Sequence, residues 1–195
     1  MKNENHRAMA VKAFRCYQKG ELDRHGRVES VRLSTLEPDE VVEKCKSSRC
    51  VYVLRLDQVD GLDPAVSSIT PSDDVLRILY IGGHEPSGGP KGRFNAMLKA
   101  ARAAQQHYQE NGYAWNDKSG GWGHPVAGML TTALLSTGFR IDKHCVLDLI
   151  NGDGVDALDE LDLMIGYQER YHHLPPWNAS RKGGSAFKES SVKER

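Results

Sequence analysis

The chain has 195 residues, 39% of them hydrophobic and 27% charged, which suits one soluble domain with enough apolar surface for its own core. No apolar run approaches the roughly 18 residues of a membrane span, and the polar stretch Met1–Gly20 lacks the apolar centre of a secretion signal, so a cytoplasmic location is expected. With 26 bases against 26 acids, no whole-molecule charge argument for a polyanionic partner is available.

In chain order, Met9, Val11, Ala13, Phe14 and Tyr17 form a rough helical stripe, which predicts an N-terminal helix or arm within residues 1–47. Pro38 followed by Asp39 and Glu40 marks a helix start, so a short helix is expected over Asp39–Lys46. Cys50–Leu56 is β-branched and apolar and predicts a strand; Asp57–Asp74, rich in Asp, Ser and Pro, predicts a loop. A second strand is expected over Val75–Gly83, ended by glycines, then a loop over His84–Gly92. Arg93–Gln109 reads as a helix with Phe94, Met97, Leu98 and Ala101 on one face. Asn111–Gly123 is a loop, Pro125–Ser136 a helix ended by Gly138, Arg140–Ile150 a third strand, and Val155–His172 a helix halted by Pro175-Pro176. Beyond Ser180 the chain is too polar to pack, giving a basic tail over 183–195. The order predicts an α+β domain over residues 48–182, with a small three-stranded mixed sheet flanked by helices and an N-terminal helical arm.

The four cysteines, Cys16, Cys45, Cys50 and Cys145, make no Cys-x-x-Cys pair and read as reduced, partly buried thiols rather than a zinc site. Charge is unevenly distributed. Lys91–Arg102 holds Lys91, Arg93, Lys99 and Arg102 with no acid, and Ser180–Arg195 holds five bases, among them Arg181 and Lys182, against two acids. Asp142–Asp162 holds seven acids against Lys143. Two basic segments and one acidic segment are the ingredients of a phosphate-attracting groove beside a metal-binding carboxylate. Gly83–Gly88 lacks the Gly-Lys-Ser/Thr of a phosphate loop, Asn151–Asp156 lacks the calcium-loop pattern, and His172-His173 lacks the zinc-protease spacing.

Five landmarks fall in one order: Cys50-Val51-Tyr52 on the first strand, Tyr80-Ile81-Gly82 on the second, Arg93 on the following helix, Glu160-Leu-Asp-Leu-Met164 on the late helix, and Pro175-Pro-Trp-Asn178 at its end. Over about residues 48–182 this resembles the GIY-YIG nuclease superfamily, and the Pro-Trp-Asn ending looks most like its restriction-enzyme branch. The resemblance implies a Mg²⁺-dependent endonuclease, with Mn²⁺ as a substitute ion, acting on double-stranded DNA. Tyr52, Tyr80, Arg93, Glu160 and Asn178 would form the active site, Glu160 as the metal ligand. Lys91, Arg93, Lys99, Arg102, Arg181 and Lys182 would contact DNA. A palindromic target would favour a homodimer. Alternatives are a structure-specific or repair nuclease of the same fold, and a catalytically silent DNA- or protein-binding domain. The chemistry is consistent: phosphodiester hydrolysis needs an activated water, charge on the phosphate and a stabilised leaving oxygen. A phenol, with a pKa near ~10, serves as a base only beside positive charge such as a guanidinium or a metal ion. A single helix-borne carboxylate suits Mg²⁺, which keeps most of its waters. The chain departs from the family at Cys50, where glycine is usual, and at Met97, where a Tyr or His is usual one turn after the arginine. His124, with His84 second, is the candidate to fill that role.

Overall fold

A computed structural model describes residues 2–22, 27–33, 50–57, 61–84, 89–112, 132–151 and 158–178. The elements are α1 (Lys2–Lys19), β1 (Arg27–Arg32), β2 (Cys50–Leu56), α2 (Pro64–Ser67), β3 (Ile78–His84), α3 (Gly89–Asn111), α4 (Thr132–Ser136), α5 (Ile141–His144), β4 (Cys145–Asn151) and α6 (Glu160–Tyr171). The fold is α+β, as expected, but the described sheet has four antiparallel strands in the order β1-β4-β2-β3, not three mixed ones. The additional strand, Arg-Val-Glu-Ser-Val-Arg, lies at the sheet edge, where one side of the ladder needs no partner. Its apolar content is too low for the alternation to stand out in sequence. The expected short helix over 39–46 lies outside the described residues.

Helices cover both faces. One face carries Tyr52, Leu54, Leu79, Leu147 and Leu149 against Met97, Leu98, Ala101 and Ala104 of α3. The other carries Val51, Val53, Ile81 and Ile150 against Phe14 and Tyr17 of α1 and Leu163 and Tyr167 of α6. The N-terminal helix is thus part of the core: Phe14 meets Tyr167 edge-on at 5.8 Å. The two helices touch closely at Gly166, where a Cβ would lie 2.8 Å from the carbonyl oxygen of Ala10 and overlap Phe14.

Three expected boundaries shift for local reasons. The second strand begins at Ile78 because the Asp74 carboxylate accepts from the backbone N–H groups of Leu76, Arg77 and Ile78 at 2.8–3.2 Å, holding 75–77 in a turn. Arg77 there has φ of 51°. The strand expected over 140–150 is β4 and begins at Cys145 because Gln105 accepts from the Ile141 N–H (2.7 Å) and His144 Nδ1 from the Arg140 N–H (2.9 Å), closing the turn α5. The last helix begins at Glu160 because Asp159 and Asp162 form a capping box, Asp159 accepting from the Asp162 N–H (2.8 Å) and Asp162 from the Asp159 N–H (3.3 Å).

Between β2 and β3 the register runs Tyr52↔Gly82 and Leu54↔Tyr80, then slips to Arg55↔Ile78. This bulge turns both Leu79 and Tyr80 toward the α3 face. Among the described residues, no helix is long and apolar enough to cross a membrane.

Candidate active site at the end of the third strand

Tyr52 is 3% exposed and sits on β2 directly opposite Gly82 of β3. The glycine makes room for the ring: a Cβ at Gly82 would lie 2.5 Å from the Tyr52 Cε2 and phenol oxygen. Tyr80, the diagonal neighbour on the same face, is half-buried, with its ring centroid 6.0 Å from that of Tyr52 and tilted by 32°. The two tyrosines named from sequence are therefore adjacent.

Glu160 is the first residue of α6, where the positive helix end favours a carboxylate. It packs on the next glycine: a Cβ at Gly83 would lie 2.7 Å from Glu160 Cβ and 2.9 Å from its Oε2. Successive strand residues point to opposite faces. Tyr52 and Glu160 thus reach β3 from opposite sides, with only the Gly82-Gly83 backbone between those contact points. Read from sequence, the glycine doublet marks only a strand end; the structure makes it the seat of both side chains. The α1–α6 contact has its own glycine at Gly166, so the doublet is a second, separate place where the packing requires glycine.

Asn178 is committed to β3. Its Oδ1 accepts from the Ile81 N–H (2.8 Å) and its Nδ2 donates to the Ile81 carbonyl (2.7 Å). The Trp177 N–H donates to the Leu79 carbonyl (2.9 Å), so the segment after α6 extends the ladder along this edge strand. Trp177 is itself 3% exposed and meets Phe139 edge-on at 6.2 Å. Pro175-Pro176 positions this segment by stopping α6, and Asn178 acts as a clasp on the strand that carries Tyr80 and the two glycines.

Arg93 and Lys91 fall within α3, which starts at Gly89 rather than Arg93; their side chains lie outside the described residues. Lys99 is exposed and Arg102 half-buried on the same helix. Met97, one turn beyond Arg93, is fully buried against the sheet. His84 ends β3, its side chain outside the described residues, and His124, Arg181 and Lys182 lie outside them altogether. Among the described residues no group of three or more His, Cys, Asp or Glu converges as a ready metal cage. Cys50 and Cys145 are buried thiols and Cys16 a half-buried one; burial raises the Cys145 pKa well above its ordinary value.

A second polar cluster, not foreseen from sequence, surrounds Asp148 on β4. This 4%-exposed carboxylate accepts from the Tyr17 hydroxyl (2.6 Å), the Ser30 hydroxyl (2.6 Å) and Arg55 Nε (2.8 Å). Burial and the nearby Asp148 charge push the Tyr17 phenol well above its usual range. Burial acts most strongly, to lower the Arg55 pKa, but its bond to Asp148 and the neighbouring negative charges of Asp148, Tyr17 and Asp57 together raise it. The cluster ties α1, β1 and β2 to β4.

No protein-family model, curated protein or solved structure matches this chain.

Proposed function

We propose that the chain is a metal-dependent DNA endonuclease of the GIY-YIG type, restriction-like in its ending. The observation that carries this reading is the doublet Gly82-Gly83, on which Tyr52 and Glu160 pack from either side while Tyr80 stands beside Tyr52. The five landmarks of the resemblance fall on β2, β3, α3, α6 and the segment clasping β3. In this reading Tyr80, the more exposed of the two phenols, accepts the proton of the attacking water, the buried Tyr52 ring positions it, and Arg93 engages the phosphate through its forked guanidinium. Asn178 holds β3 in register.

The Glu160 donor set fits a hard divalent ion. It offers one half-buried carboxylate oxygen donor at a helix start, seated against the Gly83 backbone. Magnesium, when bound, supplies the positive charge that neutralises the phosphate and stabilises the leaving oxygen.

Plasmid incubated with the protein and Mg²⁺ should be nicked and then linearised. Glu160→Ala should lower the rate by at least about a hundredfold, the scale of losing an electrostatic stabiliser. Discrete bands would indicate sequence-specific cutting and a smear structure-specific cutting. Absence of cleavage by the wild-type protein on supercoiled, linear and branched DNA would overturn the enzyme reading. One observation favours a catalytically silent DNA-binding domain instead: Met97 fills the turn-later position and is wholly buried, so no proton-transferring group stands there. That reading calls for duplex binding without cleavage.

A further inference from the structure

We infer that the outer ridge of α1 binds the phosphate backbone of duplex DNA. The helix carries Lys2, His6, Arg7, Lys12, Arg15 and Lys19 against the single acid Glu4. Five of these six divide into two sets. On the flank facing α6, Arg7 pairs with Glu169 and His6 lies 3.1 Å from Asp162, so these groups serve the helix–helix contact. On the outer face, Lys12, Arg15 and Lys19 are all exposed and make no ion pair among the described residues.

The three outer cations are spaced i, i+3 and i+7, within about 60° of one another around the helix. Like charges at such spacings repel and weaken a helix, so the arrangement works against α1 unless an anion lies on it. Lys19 also complements the negative helix end, but Lys12 and Arg15 have no such role. The ridge is about 10 Å long. Consecutive phosphates of one strand lie farther apart than their roughly 3.4 Å rise along the axis, because the backbone winds around it, so such a ridge reaches about two to three of them. A basic amphipathic helix could equally suit an anionic membrane. Here the apolar side, Ala10, Ala13, Phe14 and Tyr17, is buried against the sheet and α6, leaving no face to insert into lipid. The ridge also lies on the Glu160 side of the sheet, because α1 packs on α6, the helix that Glu160 begins.

This inference shares with the nuclease reading a nucleic-acid partner but does not require cleavage. Its test is equilibrium binding of a labelled duplex to the full chain in EDTA, followed across salt concentrations. The variants are the triple substitution Lys12→Gln, Arg15→Gln, Lys19→Gln and, as a control, the paired-flank change Arg7→Gln. The log–log salt slope of the triple variant should fall by about 2–3, near 0.9 per lost phosphate contact, while Arg7→Gln keeps the wild-type slope. A cooperative transition with a midpoint at or above that of wild type establishes that the triple variant, altered only at exposed sites, is folded.

An unchanged slope would overturn the inference, as would a wild-type protein that binds no duplex. So would loss of binding to phosphatidylserine vesicles with duplex binding intact. Ridge-dependent binding by a wild-type protein that never cuts would uphold the ridge and remove the nuclease. Cutting by wild type, with the slope unchanged in the triple variant, would do the reverse.

Discussion

The sheet carries two polar constructions, and they are built on opposite plans. At Asp148 a deeply buried carboxylate is bonded by Tyr17, Ser30 and Arg55, drawn from α1, β1 and β2. At the end of β3 no side chain projects from Gly82 or Gly83, and the groups that occupy the space, Tyr52 and Glu160, come from β2 and α6. The first spends its hydrogen-bonding capacity on joining elements. The second seats a half-buried carboxylate and a buried phenol against bare backbone, with the strand held from outside by Asn178. A charge satisfied by three donors from three elements rigidifies a fold, whereas a strand end without side chains is shaped by the groups that pack on it from its neighbours.

The largest expected effect tests the first construction. Asp148→Ala leaves the Arg55 guanidinium without its shortest partner in a mostly buried position, and should cost about 3–5 kcal/mol in urea unfolding. If the contrast holds, cleavage per folded molecule changes little, since Asp148 has no part in the proposed chemistry. A stability loss under 1 kcal/mol would remove Asp148 as the tie between elements.

The glycine doublet comes next. Gly82→Ala forces the buried Tyr52 ring to move and should cost about 1–3 kcal/mol together with most of the cleavage. Gly83→Ala meets the Glu160 Cβ, fixed to the α6 backbone, so it should cost a comparable amount, about 1–3 kcal/mol, while cleavage falls at least tenfold. If both variants cut like wild type, the doublet is packing alone.

Asn178→Ala strips one partner each from the Ile81 N–H and carbonyl, which should cost about 1–2 kcal/mol. As a clasp rather than a contact of the phosphate, Asn178 should lower kcat while leaving duplex affinity in EDTA unchanged; an equal loss of affinity would make it a DNA contact.

The smallest effect is a pH dependence outside both constructions. Burial lowers the His144 pKa below its ordinary 6.5, and His144 Nδ1 already accepts from the Arg140 N–H. The unfolded chain therefore binds the proton more readily. The contribution is intact above about pH 6.5 and is lost as pH falls from there toward the folded pKa. His144→Gln, compared by chemical unfolding at pH 7 and pH 5, should flatten that slope.

Much of this was legible in the chain. The strands at Cys50–Leu56 and around Tyr80, the long α3 and the late α6 announce themselves by apolar runs and helical periodicity. The adjacency of Tyr52 and Tyr80 follows from pairing two such strands in one register. Local competition set the boundaries that shifted: Asp74 captures three backbone N–H groups before β3 begins, and Asp159 caps α6.

Tertiary packing decided the rest. Arg27–Arg32 is a strand because β4 offers it an edge, and its own sequence carries no strong pattern. Arg55 meets Asp148, 93 positions away, once β2 pairs with β4, and Tyr17, 131 positions away, joins them only once α1 lies on the sheet. Residue types nominated Tyr52, Tyr80, Glu160 and Asn178. That Tyr52 and Glu160 reach one strand end from opposite faces, and that Asn178 clasps Ile81, depended on contacts between residues distant in sequence. Local sequence fixes the dihedral preferences and the period of each element; which elements share a face is settled by the global burial of apolar surface.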